Sequence, residues 1–166
     1  MKKIIVRLFV CVIICLILYK IALFVFPRSY GQVKKIYRSN KAELEYVCDA
    51  IYNFDSESVE IELFDSSKSI NIYKNDGSES ESNNESIKIT DEKLIEYLKT
   101  LKSSDFIRVK KEYGYVFCDI GCLSGSSGII YSPEKEPDVS SQNVIRQTLK
   151  RIDNTDFYYY CAEYDN

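Results

Sequence analysis

The sequence predicts an α+β chain: an N-terminal transmembrane helix, then a small, mostly antiparallel sheet with two helices on one face. Three observations carry that expectation. An almost uncharged run occupies residues 4–26, broken only by Arg7 and Lys20. Short segments of alternating apolar and polar residues then recur, as half-buried strands require. Two segments have apolar residues spaced three and four apart, the period of an amphipathic helix. Strands in runs with segregated helices argue α+β. The division is residues 1–27 as membrane anchor, 28–39 as basic linker and 40–166 as the folded domain.

Residues 1–41 hold nine Lys or Arg and no Asp or Glu, whereas the rest holds 13 basic and 25 acidic residues. A basic, apolar front end before an acidic domain is the pattern of a membrane-attached chain. Membrane lipid is the expected partner of the N-terminal helix. Leu8 and Leu18 lie in the apolar run, Lys20 snorkels and Phe26 closes it before Pro27. Leu8–Phe26 would span roughly 28 Å as a helix. A cleaved signal would need small residues where Phe24-Val25-Phe26-Pro27 stands. A lipoprotein signal fits poorly, because Val10 and Ile14 precede Cys11 and Cys15. A buried helix of the domain would have to be apolar on nearly every side. The short charged start favours a domain outside the membrane, although flanking charges lean the other way.

Nucleic acid is not an expected partner, because the one basic cluster sits against the apolar segment. With no histidine in the chain, Ser-His-Asp and Cys-His catalysis and His-ligated zinc are excluded.

Within the domain, Asn40 and Glu43 are spaced as a capping box, and Leu44, Val47, Cys48 and Ile51 share a face, so residues 41–53 read as a helix. Val33 and Ile36 extend that face, so the helix can start earlier. Residues 59–64 and 69–73 form a hairpin across a polar turn. Residues 74–86 contain no apolar side chain and read as a solvated loop; they lack the ligand spacing of a calcium loop. Residues 87–90 are a short strand. Thr90 is the expected cap of a helix over 91–102, whose face is Leu94, Ile95, Leu98 and Leu101. Strands at 106–110 and 115–120 join near Tyr113-Gly114, and 129–131 and 157–162 are further strands. Residues 142–152 fit helix or strand.

Four cysteines fall in the domain: Cys48, Cys118, Cys122 and Cys161. An even count permits two disulfides in three connectivities, and reduced, partly buried thiols are the alternative. Their spacing is poor for a metal site. Gly125–Gly128 lacks the Lys-Ser/Thr of a phosphate loop and leads into a strand. Ser132-Pro133-Glu134-Lys135 matches S-x-x-K, but without companion motifs or a helix to align the two side chains. No cofactor is expected. On the last strand, Tyr158 and Tyr160 share one face and Phe157, Tyr159 and Cys161 the other. Tyr158 and Tyr160 are the candidate binding surface, because exposed tyrosine favours protein or glycan contact.

Residues Ile87–Leu94, Gly128-Ile129-Ile130-Tyr131-Ser132 and Phe157-Tyr158-Tyr159-Tyr160 resemble a set of small uncharacterised bacterial proteins. Those have a similar strand–helix unit, a G-[IV]-[IV]-Y-S strand and a W-Y-Y-Y ending. Phe157 stands where that set usually has Trp. The resemblance covers about residues 40–164; it implies a fold and a bacterial source and transfers no activity. The expected role is a membrane-anchored, non-catalytic domain binding a protein or an envelope polymer. Two alternatives are a tethered immunity-type protein neutralising a basic toxin and a carboxylate-dependent envelope enzyme.

Overall fold

The computed structural model describes residues 2–63, 69–73, 84–121, 126–138 and 146–163. Four helices are described: α1 (Lys2–Val25), α2 (Tyr30–Ser39), α3 (Lys41–Tyr52) and α4 (Glu92–Ser103). The strands are β1 (Val59–Glu62), β2 (Ser69–Tyr73), β3 (Asn84–Lys88), β4 (Phe106–Glu112), β5 (Tyr115–Ile120), β6 (Ser126–Tyr131), β7 (Arg146–Arg151) and β8 (Phe157–Glu163). They form one sheet in the order β3-β2-β1-β4-β5-β6-β8-β7, and each neighbouring pair is antiparallel. The α+β expectation holds for this body.

The transmembrane expectation does not. Among the described residues, no helix is long and apolar enough to cross a membrane. The physical reason lies in the two charges. Between Arg7 and Lys20 the uncharged stretch is only Leu8–Tyr19, twelve residues, or about 18 Å of helix against about 30 Å of hydrocarbon. The helix itself forms as expected, and its described side chains are largely exposed. Leu8 is 63% exposed, and Leu18 and Phe26 are similarly open. The side chain of Lys20 lies outside the described residues.

Residues 30–39, expected as part of a linker, are helical and packed. Ser29 and Gln32 form a capping box at the start of α2, with the Ser29 N–H donating to Gln32 Oε1 at 2.9 Å. Val33 and Tyr37, one turn apart, are buried. Arg38 Nε donates to Asp153 Oδ2 at 2.8 Å, and Lys34 pairs with the same carboxylate. The chain entering α2 is also fixed: the Arg28 N–H donates to Ser127 Oγ at 3.0 Å and Tyr159 Oη donates to the Arg28 carbonyl at 2.9 Å.

In α3 the expected face of Leu44, Val47, Cys48 and Ile51 is buried. The expected Asn40–Glu43 box is not made. Asn40 instead donates from Nδ2 to the Ile36 carbonyl at 2.8 Å and accepts from Ser104 Oγ at 2.8 Å, so its amide joins α2 to the end of α4. In α4, Leu94, Leu98 and Leu101 are buried, and Ile95 is half-buried beside them. The cap is Asp91, one residue beyond Thr90; its carboxylate accepts from the N–H groups of Lys93 and Leu94 at 2.9 and 3.1 Å.

The β1–β2 hairpin forms as expected, although its turn, residues 64–68, lies outside the described residues. Of the expected loop 74–86, residues 74–83 also lie outside, whereas Asn84–Ser86 belong to β3. Tyr113 and Gly114 both have positive φ, 54° and 78°, as a two-residue hairpin turn requires. Arg146–Arg151 is a strand, which resolves that ambiguity.

Register explains what each sheet face carries. Ile61, Val109, Cys118, Ile129 and Tyr159 sit opposite one another across β1, β4, β5, β6 and β8. With the buried residues of α2, α3 and α4 they make the main core. The next residue along reverses face. There the row is Glu62, Arg108, Asp119, Gly128, Tyr160 and Leu149, flanked by Glu60, Lys110, Phe117, Ile130, Tyr158 and Arg151.

Candidate functional site

Tyr158 and Tyr160, the sequence-selected binding surface, do not lie open. They are 5% and 6% exposed and pack with Tyr115, Phe117 and Ile130 as a second core on the reverse face. The row register shows why. Gly128 stands between Asp119 and Tyr160. With no side chain on Gly128, the Tyr160 ring lies across that strand and donates its hydroxyl to Asp119 Oδ1. A Cβ on Gly128 would stand 3.0 Å from the Tyr160 ring and 2.2 Å from the Cys118 carbonyl oxygen.

Asp119 is buried, and its other oxygen takes Arg108 Nε at 2.7 Å. Arg108 also reaches Glu60 at 3.5 Å. Burial works against the Arg108 charge, but Asp119 and then Glu60 outweigh it, so the guanidinium titrates above its ordinary value. Both Asp119 oxygens are engaged, one charge-assisted, as a buried carboxylate requires. At the far end, the Asp138 N–H donates to Tyr115 Oη at 3.2 Å and buried Pro137 is in the same segment. This tyrosine cluster holds structure together.

The S-x-x-K residues diverge. The buried Ser132 hydroxyl donates to the Lys135 carbonyl, while Lys135 Nζ lies 5.6 Å from the Tyr115 ring centroid. Among the four domain cysteines, Cys48 and Cys118 are buried with their sulfurs 3.5 Å apart. Cys161 is half-buried on β8, and Cys122 lies outside the described residues.

An open aromatic site exists elsewhere, in a groove of about 480 Å³ between α3, α4 and the end of β6. Tyr46 on α3 and Tyr97 on α4 meet edge to face, with centroids 5.3 Å apart. Tyr131 completes the wall and is itself held edge to face by Tyr52 at 5.8 Å. Glu45 and Asp49 also line the groove. Helix periodicity places Glu45, Tyr46 and Asp49 on the flank of α3 opposite its core contacts.

A cation already sits there. Lys93 Nζ is 4.2 Å from the Tyr46 centroid and 5.4 Å from that of Tyr97, well within cation–π range. Tyr46 Oη donates to Asp91 Oδ2 at 2.8 Å. That bond holds the Tyr46 hydroxyl above its ordinary pKa, with burial adding to it. The Leu94 N–H, the Tyr46 hydroxyl and the Lys93 N–H together hold Asp91 below its ordinary value. The capping residue of α4 thus also orients the ring that faces the cation. Burial raises the Tyr131 hydroxyl, and the Asp49 carboxylate adds to that rise. Tyr46 and Tyr131 therefore stay neutral and electron-rich at physiological pH, and the acids beside the rings favour a positive group.

A larger hollow of about 690 Å³ lies beside the β4–β5 turn, lined by residues 54–58 and 111–114. Its walls are largely chain reversals, and Lys111 Nζ is already committed to the Phe54 carbonyl at 2.8 Å. Among the described residues no three His, Cys, Asp or Glu side chains gather as a metal site would need.

The sequence reading missed the groove because Tyr46 and Tyr97 belong to separate helices. The one local signal was the Lys93–Tyr97 spacing of four, which puts ammonium and ring on one face of α4. No family model, curated protein or solved structure matches the chain.

Proposed function

We propose that this chain is a non-catalytic binding module whose α3–α4 groove receives a cationic side chain of a basic protein partner. The observation that carries the reading is Lys93 Nζ seated against Tyr46 and Tyr97. An ammonium of the same chain occupies the place the partner's cation would take. The acidic lining and the excess of 25 acidic over 13 basic residues after position 41 fit such a partner and steer its approach. A basic toxin held by an immunity-type protein is one partner of that chemistry.

The second contact in this reading is with lipid. The exposed apolar side chains of α1 need cover from water, and the basic residues of positions 1–41 suit anionic headgroups. Sedimentation of the full chain with anionic and with zwitterionic vesicles tests this contact. Retention on the anionic ones alone is expected, and no retention on either refutes it.

The groove is tested by titrating the full chain with a lysine- and arginine-rich peptide. Replacing Tyr46 and Tyr97 by Leu should weaken binding about tenfold, the worth of one partly desolvated cation–π contact. Unchanged affinity would refute the groove as the binding site.

A further inference from the structure

Cys48 and Cys118 come from elements far apart in sequence, the middle of α3 and the middle of β5. Their sulfurs nonetheless touch at 3.5 Å, although the residues are 70 positions apart in the chain. A disulfide needs an S–S distance of about 2.05 Å, so closure by about 1.5 Å would form the bond. Both side chains are fully buried in the main core. Cys118 lies in the row between Val109 and Ile129, and Cys48 lies between Val47 and Ile51 on the buried face of α3.

We propose that Cys48 and Cys118 form a redox-sensitive disulfide that clips α3 to the centre of the sheet. The oxidant is an external disulfide. One thiolate attacks it and releases one thiol; the second thiolate then attacks the mixed disulfide and releases the other. Two protein thiols and one external disulfide become one protein disulfide and two external thiols.

Burial raises the Cys48 thiol well above its ordinary pKa, with the Cys118 contact adding to that rise. The folded, reduced Cys48 is therefore a poor nucleophile, and because both thiols are buried, exchange proceeds through an opened or refolding chain. Once formed, the clip fixes the helix that carries Tyr46 and Asp49, the α3 wall of the groove. A closed loop of this length constrains the unfolded chain strongly. The inference stands independently of the binding reading, since the pair lies on the opposite flank of α3.

The test refolds the reduced full chain in a glutathione and glutathione-disulfide buffer, blocks free thiols and maps linked peptides by mass spectrometry. The expected result is a Cys48–Cys118 peptide and a melting temperature roughly 5–15 °C above that of the reduced chain. Linkage of either residue to Cys161 or Cys122, or complete alkylation of both on denaturation, overturns the proposal. Replacing Cys161 and Cys122 by Ser should leave the linked peptide in place; its disappearance would count equally against it.

Discussion

Two tyrosine clusters in one chain behave in opposite ways. On the reverse face of the sheet, Tyr158 and Tyr160 are buried, and the Tyr160 hydroxyl bonds a carboxylate that already holds an arginine. Between α3 and α4, Tyr46 and Tyr97 line an open groove and face an ammonium. The chemistry of the residue is the same, and the surroundings decide its role. Where a glycine lets a ring lie across the sheet, tyrosine becomes core and its hydroxyl must be paired. Where two helices bring rings together beside acids, tyrosine becomes a recognition surface.

The comparison breaks most forcefully at Gly128. Replacing it by Ala puts a Cβ within 2.2 Å of the Cys118 carbonyl and against the Tyr160 ring. A loss of about 3 kcal/mol in chemical denaturation is expected, at the upper end of overpacking costs. A loss below about 1 kcal/mol would show that the reverse-face cluster is not tightly packed.

Tyr160→Phe is milder. It removes the hydroxyl and leaves one oxygen of buried Asp119 without its bond, which costs about 1–3 kcal/mol. Tyr46→Phe also removes a hydroxyl that bonds a carboxylate, but one at the surface, and should cost less than half as much. Equal losses at both positions would erase the distinction between the clusters.

The smallest effect is one of pH. The folded pKa of Asp91 is held below its ordinary 3.8, by the Leu94 N–H first and then the Tyr46 hydroxyl. Such a group stabilises the fold at pH above the unfolded value, and that contribution is lost as pH falls through the depressed folded value. Wild-type stability should therefore decline more steeply below pH 3.8 than that of Asp91→Asn. Parallel curves would mean that the cap contributes nothing that titrates.

Some of this was legible in the sequence, for definite reasons. The buried faces of α3 and α4 follow the spacing of Leu44, Val47, Cys48 and Ile51, and of Leu94, Leu98 and Leu101, because a 3.6-residue period leaves few alternatives. Alternation correctly put Tyr158 and Tyr160 on one face of β8, but alternation does not say what covers a face. Val33 was read on a helical face that could start early, but the basic residues of α2 masked its buried partner one turn on, Tyr37. At α4 two good caps stood side by side, and only the backbone geometry chose Asp91 over Thr90. The apolar length of α1 suggested a membrane span, but its charges interrupt that length at Arg7 and Lys20. The groove required tertiary structure, because its rings lie 51 positions apart in the chain.

The central claim is that the open rings, and not the buried ones, meet a partner's cation. NMR of the full chain carrying labelled tyrosine rings, titrated with a lysine- and arginine-rich peptide, tests it most directly. The account predicts that the ring signals of Tyr46 and Tyr97 shift with saturating dependence on peptide, while those of Tyr158 and Tyr160 stay in place. Shifts confined to Tyr158 and Tyr160, or no shift at Tyr46 and Tyr97 at saturating peptide, would contradict it.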